Sequence, residues 1–153
     1  MSTEQQVDKA MTERVIRSFA EIEIGDEIGP VTRIPTTEMV VRYAEAAGIH
    51  ELRFFFDPDQ ARQNGFEKPI VPGPLSAGFL AQLLTDYFTG WRLQALQTTF
   101  RTPALHGEPL HLWGTVTEKT EQDGIPTVHC DLVAENERGD RVIVGTATLG
   151  WRG

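Results

Sequence analysis

The chain has 153 residues, of which 40% are hydrophobic, and 22 acidic against 14 basic side chains give a formal net charge of −8. That length supports one domain with a sizeable core, and a pI near 4.9 argues against nucleic acid, whose phosphates need a basic footprint. An anionic cofactor or substrate stays compatible, because a phosphate needs only a local cation cluster, for which Lys68, Arg92, Arg101 and Arg152 are candidates.

Residues 1 to about 17 are polar and include Gln5-Gln6; they read as an N-terminal arm, flexible or briefly helical, ahead of a single domain over 18–153. No secretory signal or apolar run of membrane length stands out. A cytoplasmic protein that does not enter a membrane is therefore expected. Thr36 or Thr37 can cap a first helix in which Val40, Tyr43, Ala44 and Ala47 share a face and Gly48 is a fitting end. Asp57 caps a further short helix with Pro58 in its first turn.

The run from Gly65 to Leu80 then drives an apolar loop into a long helix. Pro74 suits the first helical turn, where its missing N–H has no partner to lose. Gly73 allows close approach of a ligand to the positive end of the helix dipole, a place that can stabilise an oxyanion. Leu75, Phe79, Leu80, Leu83, Leu84, Tyr87 and Phe88 recur at helical spacing with few charges before Asp86. A helix this apolar is expected to be wrapped on all sides.

Downstream, Leu110, Leu112 and Val116, then Val128, Cys130, Leu132 and Ala134, then Val142 and Val144 alternate with their neighbours as strands do. Asp123-Gly124 and the segment around Gly139 supply turn chemistry, and Thr98 to Ala104 is expected to form another strand. The result is an α+β domain with a curled antiparallel sheet around one long helix. Cys130 reads as a small buried hydrophobe in a reducing compartment. Trp91, Trp113 and Trp151 read as core or dimer-face aromatics. His106, His111 and His129 show no metal-ligand spacing, so no metal site is expected.

Three segments carry a resemblance: Tyr43-Ala44 with Gly48; Asp57-Pro58-Asp59 with Ala61 and Gly65-Phe66; and Pro69-Ile70-Val71 with Gly73 and Leu75. Together they resemble the hydratase segment of the MaoC-like (R)-specific enoyl-CoA hydratases and dehydratases, over roughly residues 18 to 152. The resemblance implies the hot-dog fold, pairing into dimers, and hydro-lyase chemistry on acyl thioesters of fatty acid or lipid metabolism, with no cofactor beyond the CoA or carrier-protein arm of the substrate. It also implies a catalytic Asp and His. Counted back from Asp57, these positions hold His50 and Phe55; counted from Gly48, they hold Ile49 and Phe54. No register supplies both, and phenylalanine exchanges no proton.

What matches is the binding half. Gly73 and Leu75 are the expected oxyanion and thioester contacts, and Phe54, Phe55, Phe56 and Phe79 the expected acyl groove. Three functions fit. In the favoured one, the chain is an acyl-thioester-binding subunit that works with a MaoC-like partner carrying the Asp and His. In the second, it is an active enoyl-CoA hydratase or 3-hydroxyacyl-CoA dehydratase with a rearranged site, using His50 as base, since histidine titrates near neutrality, with Glu51, Glu45 or Asp57 as its acid or orienting partner. Either a homodimer or a heterodimer with a MaoC-like subunit is expected. In the third it is a hot-dog thioesterase using Asp86 or Gln82 on the long helix.

Overall fold

The computed structural model describes residues 15–153; most of the expected arm, residues 1–14, lies outside them. Strand β1 (Glu27–Arg33) leads to helix α1 (Thr37–Ala47), a 3-10 turn (Arg53–Phe55), helix α2 (Pro58–Gln63) and the long helix α3 (Gly73–Tyr87). Strands β2 (Trp91–Phe100), β3 (Leu110–Gln122), β4 (Ile125–Glu135) and β5 (Arg141–Trp151) follow. All five strands form one antiparallel sheet in the order β1-β3-β4-β5-β2.

That order puts β1 and β2, which flank the helices in the chain, at opposite edges of the sheet. Helix α3 contacts both of them and β3. In a flat five-stranded sheet the edges lie roughly 19 Å apart, while a helix is only about 10 Å across. A helix touching both edges therefore requires the sheet to curl around it, which is the hot-dog arrangement.

The inner face of the sheet follows the period of two, with Leu110, Leu112 and Val116 of β3, Val128, Cys130, Leu132 and Ala134 of β4, and Leu149 of β5 all buried. They close on Leu80, Leu83 and Leu84 from α3 and on Phe88 just after it, and each such leucine contributes roughly 2 kcal/mol by leaving water. Cys130 lies in this core, and burial pushes its thiol pKa up to about 12.

Two sequence expectations are corrected. The strand expected over Thr98 to Ala104 runs instead over Trp91–Phe100. A register shift between Leu93 and Ala95 leaves the partly buried Leu93 and Leu96 three residues apart, which hides the strand's first half from a period-two reading. Its end comes before Pro103, which has no N–H to give a ladder. Helix α3, expected to be wrapped all round, instead leaves Pro74, Gly78, Gln82 and Thr85 exposed along one stripe. These small or polar residues repeat at helical spacing, a pattern masked by the overall density of apolar residues.

The helix ends follow local chemistry. Thr36 accepts a hydrogen bond from Met39 N at 3.2 Å, Gly48 closes α1 at φ +70°, and Val40 and Ala44 face the core. Within the expected arm, Ile16 bridges to Thr89, Arg17 stacks 3.8 Å from the Tyr87 ring centroid, and Trp91 Nε1 donates to Arg17 O at 2.8 Å. Trp91 also meets Trp151 edge-on at 5.2 Å. Among the described residues, no helix is long and apolar enough to cross a membrane.

Candidate functional site

The loop before α3 is held by a short antiparallel pairing with the segment after β2. Val71 N donates to Ala104 O at 2.8 Å, His106 N donates to Pro69 O at 3.3 Å, and Ile70 bridges to Leu105. This pairing delivers Pro72 and Gly73 to the start of α3 in a fixed direction.

The first turn of α3 has an unusual hydrogen-bond account. Pro72, at the cap position, makes no side-chain cap bond. Its carbonyl accepts from Leu75 N at 3.0 Å and Ser76 N at 3.3 Å. Pro74 has no N–H. The Gly73 N–H is therefore left without a partner among the described residues, at the end of the helix where the dipole is positive.

Gly73 faces a cavity of about 390 Å³ that it lines with Ser76, Phe100, Arg101, Thr102 and Val142, among others. A Cβ at Gly73 would come within 2.8 Å of the Phe100 ring, so glycine is what lets that ring lie against the start of the helix. Phe100 is itself 52% exposed and can swing. Among the described residues, Arg101 is the one charged residue of the lining. Ser76 is only 2% exposed, and its hydroxyl has no hydrogen-bond partner among the described residues.

The other sequence-derived candidates lie elsewhere. Leu75 is no part of the cavity lining; its N–H is used by Pro72, and its side chain packs on the core. His50 and Glu51 are exposed in the turn after α1. No hydrogen bond or ion pair engages the His50 ring among the described residues. Glu45 is exposed on α1. Asp57 accepts from Asp59 N at 2.9 Å and Gln60 N at 3.4 Å and pairs with Arg53 at 3.2 Å, so its carboxylate serves as the cap of α2. Phe54 packs on Phe55, with ring centroids 4.4 Å apart, and lies 6.5 Å from Phe66. Phe55 and Phe79 lean on the core. None of Phe54, Phe55, Phe56 and Phe79 lines the cavity at Gly73. Asp86, thirteen residues along α3 from Gly73, is about 20 Å away at the helical rise. Gln82 accepts from Arg33 at 3.3 Å, and Lys68 pairs with Glu108 at 3.5 Å.

Sequence reasoning passed over Ser76, although a hydroxyl one turn after Gly73 on the same helix face was visible in the spacing. Phe100 and Val142 reach the site only through the β2–β5 ladder, which no local pattern reveals. His106 also gains a role that spacing hides. Its Nδ1 lies 3.1 Å from Thr37 Oγ1 and its Nε2 3.2 Å from Ile70 O. Burial lowers its pKa below the ordinary 6.5, opposed by hydrogen bonds to the carbonyls of Ile70 and Phe55. The imidazole thus ties the start of α1, the 3-10 turn and the loop before α3 together. Among the described residues, no group of three His, Cys, Asp or Glu side chains could hold a metal.

No family model matches the chain. A 103-residue stretch is 29% identical to the mitochondrial 3-hydroxyacyl-[acyl-carrier-protein] dehydratase of Arabidopsis thaliana, covering 63% of this chain and 60% of that protein's length. Among solved structures, the (R)-hydratase from A. caviae involved in PHA biosynthesis matches with a TM-score of 0.75 and 21% identity, over 84% of this chain and 96% of that one. The C-terminally truncated HadBC (3R-hydroxyacyl-ACP dehydratase) complex from Mycobacterium tuberculosis matches with a TM-score of 0.73 and 21% identity, over 84% and 98%. The chain thus has the hot-dog fold of the MaoC-like hydratases and dehydratases, and its sequence is similar to that of a 3-hydroxyacyl dehydratase over about three fifths of either protein.

Proposed function

We propose that this chain is a MaoC-like hydratase or dehydratase subunit that binds an acyl thioester, of CoA or of a carrier protein, at the start of α3. In this reading it takes its general acid and base from a partner subunit. The carrying observation is the Gly73 N–H, without a partner among the described residues, on the cavity that Arg101 also lines.

The chemistry fits that donor. Adding water across an enoyl thioester, or removing it from a 3-hydroxyacyl thioester, passes through a state in which negative charge gathers on the thioester oxygen. A fixed N–H at the positive end of a helix meets that charge without reorganising. The proton transfers at C2 and at the β-oxygen need an acid and a base within hydrogen-bond reach. The positions of the family's Asp and His hold no such pair here, and Asp57 is engaged as a helix cap. The match to a dehydratase complex supports a partner of the same fold as the source of both groups.

Equilibrium titration of the purified chain with crotonyl-CoA tests the binding half. Saturable binding is expected; no binding at millimolar ligand would overturn the reading.

A further inference from the structure

We infer that the Ser76 hydroxyl is a second hydrogen-bond donor to the thioester carbonyl, acting with the Gly73 N–H. This rests on the acyl-thioester reading above and assigns a recognition residue within that site.

Three observations converge on Ser76. Its hydroxyl is buried, the residue being 2% exposed, yet has no partner among the described residues; a buried hydroxyl with no hydrogen bond is costly and rare, so something normally satisfies it. It lines the same cavity as Gly73. It also sits three residues after Gly73, one turn along the same helix face. Side chains on a helix lean toward its N-terminus, which carries the Ser76 oxygen back toward the Gly73 turn.

The usual fate of a helical serine does not account for it. Such a hydroxyl ordinarily bonds the carbonyl four residues back, here that of Pro72. That carbonyl has two lone pairs, and the N–H groups of Leu75 and Ser76 already occupy it. With its local acceptor taken, the hydroxyl keeps an unused proton at the wall of the cavity that Ser76 lines, which a ligand oxygen can take once the exposed Phe100 ring moves aside. A carbonyl oxygen placed to meet the Gly73 N–H is an acceptor in the right position, and two donors from one helical turn would fix both its location and its orientation.

The experiment compares butyryl-CoA with S-butyl-CoA, a thioether lacking only the carbonyl oxygen, on the parent chain, Ser76→Ala and Gly73→Val. Ser76→Ala is expected to weaken butyryl-CoA about three- to tenfold, the worth of one neutral hydrogen bond, while leaving S-butyl-CoA unchanged. The carbonyl stretch of bound ¹³C-labelled butyryl-CoA should move to higher frequency. Its melting temperature should equal or exceed the parent's, because an unsatisfied buried hydroxyl is removed. Equal effects on the two ligands, or an unmoved stretch, would overturn the assignment of Ser76 alone, provided that the parent binds and Gly73→Val does not. A parent that binds neither ligand would overturn the thioester site and Ser76 with it.

Discussion

Two regions of this molecule could hold chemistry, and they differ in how their polar groups are used. The segment from Gly48 to Asp57 has the charged and titratable side chains, but they are exposed, as in His50 and Glu51, or committed to local structure, as in Asp57. The start of α3 has almost no charge, yet it leaves two donors without a partner among the described residues beside a cavity, Gly73 N–H and Ser76 Oγ–H. In the proposed reading, unsatisfied hydrogen-bonding capacity in a sheltered place, rather than a list of reactive side chains, marks where a ligand goes.

The comparison is sharpened most by Gly73→Val. The new side chain meets the Phe100 ring, which is exposed enough to move, so the fold should survive while acyl-thioester affinity falls by about tenfold or more, as a crowded donor loses its ligand. Affinity within twofold of the parent would remove Gly73 from the site. Asp57→Ala is expected to do the opposite, costing about 1 kcal/mol of stability through the lost cap without changing affinity, as denaturant melts and titrations on one preparation would show.

A subtler effect concerns His106, which joins the two regions. Burial holds its folded pKa below 6.5, so in acid the unfolded chain takes up a proton that the folded chain resists. The stability from the neutral ring is fully present above about pH 6.5 and is lost as the pH falls through the folded pKa. His106→Gln should therefore flatten the decline in stability between pH 7 and pH 5, and a slope matching the parent's would remove His106 from that role. The smallest effect is expected from His50→Ala. An exposed residue outside the cavity should change stability and affinity by less than about twofold, and a larger loss of affinity would break the distinction between the two regions.

The fold was legible where its signals are local. Thr36, Gly48, Asp57 and Pro58 mark helix ends by chemistry confined to a few residues, and β3, β4 and β5 show their period in side chains. The first half of β2 was not legible, since its bulge near Gln94 shifts the repeat. In the proposed site, Gly73 was a candidate from the sequence through the Gly-Pro pair. Ser76 was lost in an apolar run because its significance lies in a bond it does not make, which only the placement of Pro72 O reveals. Phe100 was hidden because its approach to Gly73 joins residues far apart in the chain.

The most direct measurement is hydration of trans-2-enoyl-CoA by the isolated chain, followed by loss of the enoyl thioester absorbance over several acyl lengths. The account predicts ligand binding with no turnover, and turnover when a MaoC-like subunit carrying the Asp and His is added. Hydration by the isolated chain would contradict the claim that its acid and base come from a partner, and would return His50 to the centre of the site.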